Sequence, residues 1–107
     1  MKKETEQKIG QLQLMEQSLQ ALLVQKQQFQ TQLVELESAL KELEKKDYAY
    51  KIVGSIMVKA TKEEIEKELK SKIELVKLRI KSIEKQEANI KEKASSLQKE
   101  IMSELKK

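Results

Sequence analysis

The side chains able to do chemistry in this 107-residue chain are 21 lysines, one arginine, 17 glutamates, one aspartate, two tyrosines and a few hydroxyls. Cysteine and histidine are absent. Their absence removes the thiolate nucleophile, the disulfide, the sulfur metal site and the imidazole that titrates near neutrality. The usual zinc sites need the same two residue types. With only Gly10 and Gly54 present, there is no glycine-rich loop to cradle a phosphate. Lysine and glutamate at helical spacing mostly pair with each other at i,i+4 on a solvated face. No catalytic residue, metal ligand or cofactor is therefore expected, and the chain is expected not to be an enzyme. Apolar contact is the chemistry that remains, presented by whichever elements position the aliphatic side chains.

Composition says what those elements are. Charged residues make up 37% and apolar residues 38%, but only Phe29, Tyr48 and Tyr50 are aromatic and there is no proline. This bias belongs to long helices and coiled coils, and the length allows one domain. The net charge of +4 is uneven: residues 1–54 hold eight lysines against eight acids, whereas residues 55–107 hold fourteen basic residues against ten glutamates. The signs alternate every few residues, as on a solvated helix surface. Arg79 is the only arginine, while base-reading and stacking sites favour arginine and aromatics, so no nucleic-acid partner is expected. No apolar run reaches the length of a membrane span or a signal peptide. No membrane partner is expected, and the expected setting is cytoplasmic.

Two segments carry a helical seam. Leu12, Met15, Leu19, Leu22, Phe29, Leu33, Leu36, Leu40 and Leu43 recur at alternating steps of three and four, with Lys26 in the one remaining slot. They predict a first helix over 5–46. Leu69, Ile73, Val76, Ile80, Ile83, Ile90, Ala94, Leu97 and Ile101 repeat the pattern, with Glu87 as the polar intruder, and predict a second helix over 62–106. Thr61 and Glu64 mark its start as a capping box, in which hydroxyl and carboxylate each satisfy a free backbone N–H.

Between the helices the period changes. Residues 48–61 are rich in β-branched and aromatic side chains around Gly54-Ser55, a pair suited to a type II′ hairpin turn. Ile52, Val53 and Ile56 beside Gly54 disfavour a helix running through. A tight hairpin there pairs Val53 with Ile56, so paired residue numbers sum to 109. Folding the helices back antiparallel on the same sum sets Leu12 on Leu97, Met15 on Ala94, Phe29 on Ile80 and Leu40 on Leu69. Each core slot then meets a core slot. Lys26 and Glu87 fall in adjacent layers, where they either pair across the seam and fix its register or snorkel separately to water.

The fold class is thus mainly α: a long antiparallel coiled-coil helical hairpin with one β-hairpin at the bend. A lone two-stranded ribbon is marginal in water, and this one has apolar residues on both faces and two open edges. Tyr50, Ile52, Val53, Gly54, Ile56, Met57 and Val58 are therefore the expected oligomerisation site, where several chains pool their hairpins into a shared intersubunit sheet or β-barrel. At the other end of the helices, apolar residues occur off the seam as well as on it. Ile9, Leu14, Met102 and Leu105 lie beside Leu12, Met15, Leu97 and Ile101. Either they thicken the last turns of the coil, or they form an adaptable surface for exposed apolar segments of other proteins.

The stretch from Tyr50 to Glu63 resembles the hairpin motif of prefoldin β-class subunits, especially archaeal ones: Tyr50-Lys51, Val53-Gly54, a short apolar strand, then Lys59-Ala60-Thr61-Lys62-Glu63. Leu69-Lys70, Lys72-Ile73-Glu74, Leu78-Arg79 and Glu84 to Glu87 are similar to the second helix of that family, and Gln25-Lys26-Gln27 to the first. The resemblance implies an ATP-independent molecular co-chaperone. Its complex would be a hetero-hexamer of two α-class and four β-class subunits, with coiled-coil tips capturing non-native client proteins for delivery to a group II chaperonin. Room for a single hairpin implies the β class. The eight residues at the helix ends would then be the client-binding tip, and the hairpin the assembly body. A structural coiled-coil adaptor docking on one folded partner is the alternative.

Overall fold

The structure, a computed structural model, describes residues 2–106. Its elements follow in the order α1 (Lys3–Leu43), β1 (Tyr48–Val53), β2 (Ile56–Thr61) and α2 (Lys62–Leu105). Two long helices with a β-hairpin between them is the expected architecture. Glu4 and Glu6 sit in the first turn of α1 and Lys41 in its last, each complementing the helix dipole. The chain leaves α1 at Leu43 and tightens into a turn, in which the Lys46 N–H donates to the Leu43 carbonyl at 3.0 Å. The lysines at 45 and 46 therefore lie beyond the helix rather than inside its last turn.

The start of α2 carries half of the predicted capping box. The Glu64 N–H donates to the Thr61 hydroxyl at 3.3 Å, as an N-cap requires. The Glu64 carboxylate does not return to the Thr61 backbone; it accepts from Lys51 Nζ at 3.1 Å instead. A nearby cation on the adjoining strand competes successfully with the backbone N–H, because a charge-assisted bond is the stronger one.

The hairpin runs in the predicted register, from Val53 opposite Ile56 to Tyr48 opposite Thr61. Gly54 has φ of 64°, whereas no other described residue has positive φ. A positive value at the first central position alone is the pattern of a type II′ turn, whose twist suits the flanking strands.

The chain forms two compact units, one from the segments up to Gln27 and from Lys81 onward, the other spanning Gln28–Ile80. In the first, Leu12, Met15, Leu19 and Leu22 are half-buried, and Ile83, Leu97 and Ile101 are buried. In the second, Leu43, Ile73 and Val76 are buried, with Phe29, Leu33, Leu36, Leu40 and Leu69 half-buried. Each predicted seam position in both units is withdrawn from water. Arg79 lies over the Phe29 ring, 5.6 Å from its centroid, so the single arginine covers the one seam aromatic in a cation–π contact.

Candidate functional site

The first candidate surface is the β-hairpin. Strand alternation places Tyr48, Tyr50, Ile52, Met57 and Lys59 on one face, and Ala49, Lys51, Val53, Ile56, Val58 and Ala60 on the other. The base of the second face packs inward: Ala60 is buried and Ala49 half-buried. Ala49 borders a cleft of about 400 Å³ shared with Leu43, Ile65 and Leu69. Towards the turn both faces lie largely open to solvent. Ile52, Ile56 and Met57 are 64–73% exposed, and Tyr48, Tyr50, Val53 and Val58 are exposed too.

Lys51 ties this ribbon to α2. Its ammonium lies 3.1 Å from both Glu64 and Glu68, and these bonds hold its pKa above the usual 10.5. Lys62 Nζ donates to the Glu44 carbonyl at 3.1 Å, capping the chain where it leaves α1. Tyr48 and Tyr50 meet edge to face at 5.9 Å, and Lys59 sits 4.0 Å over the Tyr48 ring. The proximal ribbon is fixed by polar contacts, and the distal ribbon is left apolar.

The second candidate surface is formed by the ends of α1 and α2. Burial divides the eight predicted residues. Leu14, Met102 and Leu105 are more than half exposed, Ile9, Leu12 and Met15 are half-buried, and Leu97 and Ile101 are buried in the seam. A groove of about 400 Å³ runs beside them, with Met15 and Leu97 on its floor and Gln11, Asn89, Glu92 and Glu100 among its polar walls.

Polar side chains close these ends. Thr5 is only 2% exposed and donates to Glu104 at 2.6 Å. Lys8 bonds Glu104 at 2.5 Å and lies 3.4 Å from Glu100. The Lys8 ammonium, then the Thr5 hydroxyl, hold the Glu104 carboxyl below its usual 4.5. The Glu104 hydrogen bond in turn raises Lys8 above 10.5. Sequence reasoning passed over this cluster because it began the seam at Leu12 and ended it at Ile101. Continuing the same three-and-four spacing reaches Lys8, Thr5 and Glu104, and that was the available signal.

Farther along the same unit, Lys26 and Glu87 do pair across the seam. Lys26 Nζ lies 2.7 Å from a Glu87 oxygen, and that hydrogen bond raises the lysine pKa. Glu87 is buried, and no buried side-chain nitrogen or oxygen among the described residues lacks a partner. The described residues contain no cluster of acids able to hold a metal ion, and no helix long and apolar enough to cross a membrane.

Comparison with known proteins agrees with this geometry along nearly the whole chain. The family model for the prefoldin subunit matches residues 6–107. The chain is 42% identical over 101 residues to the prefoldin subunit beta of Pyrococcus furiosus, covering 92% of this chain and 86% of that protein. It is 39% identical over 98 residues to that of Archaeoglobus fulgidus, covering 89% and 84%. The crystal structure of the prefoldin beta subunit from Thermococcus strain KS-1 superposes with a TM-score of 0.92 at 38% identity, covering 99% of this chain and 96% of that one.

Proposed function

The chain belongs to the prefoldin family of chaperone subunits, and on that premise we propose that it captures non-native proteins at its helix ends, without ATP, and passes them to a group II chaperonin in the cytoplasm. Its working form on this reading is a hetero-hexamer of two α-class and four β-class subunits, built on pooled hairpins.

The observation that carries the reading is the uncovered hairpin. Ile52, Val53, Ile56, Met57 and Val58 are 40–73% exposed in the single chain. Fully burying a side chain of this size contributes about 1.5–3 kcal/mol. Covering what these five leave open therefore supplies on the order of 5 kcal/mol per hairpin. Association costs about 4–15 kcal/mol in lost freedom, so one hairpin against one partner barely breaks even. A ring of several hairpins, each with two neighbours and no open edge, is favoured.

At the start of α1 and the end of α2, Leu14, Met102 and Leu105 offer separate aliphatic contacts that are individually weak. Several subunits holding one client gain avidity from effective concentration while each contact releases easily. The test uses the chain assembled with an α-class subunit and a chemically unfolded enzyme diluted into buffer. Light scattering from the aggregating enzyme should fall with the assembled complex. With Leu14→Ser, Met102→Ser and Leu105→Ser combined, protection should drop several-fold while the complex stays intact. Unchanged aggregation with the unsubstituted complex contradicts capture, and strict selectivity for one folded protein favours the adaptor instead.

A further inference from the structure

A buried threonine is out of place at the open end of a two-helix seam. Thr5, Lys8 and Glu104 occupy seam slots, yet all three are polar where the slots inward of them at Leu12, Leu97 and Ile101 are aliphatic. Thr5 nevertheless has 2% of its surface exposed, and its hydroxyl lies 2.6 Å from Glu104. Lys8 bridges Glu104 and Glu100 at 2.5 and 3.4 Å, and the charge of Lys2 also acts on Glu104. The numbers of Thr5 and Glu104 sum to 109, so the closure falls in the register set by the hairpin turn.

We propose that Thr5, Lys8, Glu100 and Glu104 form a polar latch that closes the helix ends over Leu12, Leu97 and Ile101, and that opening it is what presents these side chains to a non-native client. The gating role rests on the capture reading given above; the latch itself does not. Aliphatic layers at these slots would hold the ends shut, because apolar burial favours closure under all ordinary conditions. Partly solvated hydrogen bonds and ion pairs favour it much less, since water competes for the same groups. The ends are then the least stable part of the seam, opening locally while the rest stays paired. A latch also reconciles two facts: Leu97 and Ile101 lie among the apolar residues gathered at the ends, and both are buried when the ends are closed.

The test is hydrogen exchange by mass spectrometry on the full chain assembled with an α-class subunit, read beside protection of an unfolded enzyme. Glu104→Ala removes the acceptor of Thr5 and the nearer partner of Lys8. Amides in 98–105 should then exchange about tenfold faster, those around Glu87 should be unchanged, and client capture should rise. The pair Thr5→Leu with Glu104→Leu replaces the latch by an aliphatic layer, so exchange at 98–105 should slow and capture should fall. Exchange at 98–105 in Glu104→Ala equal to that of the unsubstituted protein overturns the latch. Altered exchange with capture unchanged in both variants overturns the gating role. If the unsubstituted complex and both variants capture nothing while Glu104→Ala still loosens the ends, the latch is upheld and the capture reading is what fails.

Discussion

Single polar residues in an aliphatic seam decide more here than the leucines around them. Lys26 and Glu87 lie 2.7 Å apart in layers otherwise filled by Leu22 and Ile83. Such a pair contributes little net stability beside an apolar pair, yet removing one partner strands the other. Lys26→Leu alone and Glu87→Leu alone should each lower the thermal midpoint. The double substitution should recover it to the starting value or above, with clear coupling in the cycle. Absence of coupling would remove the register role. The titrating groups give a second expectation, and its sign follows from the direction of each shift. Lys8, Lys26 and Lys51 are held above 10.5, so the stability they add is fully present below that pH and is lost as pH rises through their folded values. Glu66 and Glu104 are held below 4.5, so their contribution is present above that pH and is lost as pH falls through their folded values. With no histidine to titrate between these limits, the thermal midpoint should be level from about pH 6 to 9. A step near neutrality would contradict this.

The elements were legible to different depths, and the reasons are physical. Both helices and the hairpin could be read because period, turn chemistry and the common sum of 109 agree with one another, which is what makes a sequence specify one structure. The seam ends were not read fully, since Thr5, Lys8 and Glu104 break the aliphatic pattern that revealed the rest. The second half of the capping box failed because Lys51, distant in sequence, takes the Glu64 carboxylate. Among the predicted tip residues, the three-and-four spacing already put Leu12, Met15, Leu97 and Ile101 on the seam and the other four off it. It could not say that, of those four, Ile9 is half-buried while Leu14, Met102 and Leu105 face water. At the level of the turn, Gly54 holds φ of 64° with no atom near its would-be Cβ. Gly54→Ala should therefore cost about 1 kcal/mol through backbone strain alone, measured by chemical unfolding of the assembled protein. No loss of stability would mean that the turn rearranges freely. On the strands, Ile52→Lys with Met57→Lys should abolish association while leaving the helix content by circular dichroism unchanged. Intact assembly in this variant would show that the distal ribbon is not the interface.

Taken whole, the molecule carries a two-stranded ribbon with apolar side chains on both faces and unpaired backbone on both edges. The backbone term and the side-chain term point the same way, because one further strand on each edge satisfies the first and a closed ring satisfies the second. The family supplies the same expectation, since its relatives are named as subunits. Native mass spectrometry of the chain, alone and co-expressed with an α-class prefoldin subunit, measures this most directly. Self-associated species for the chain alone, resolving into one discrete hexamer of two α-class and four β-class subunits on co-expression, is the expected result. A stable, monodisperse single chain under both conditions would contradict the account.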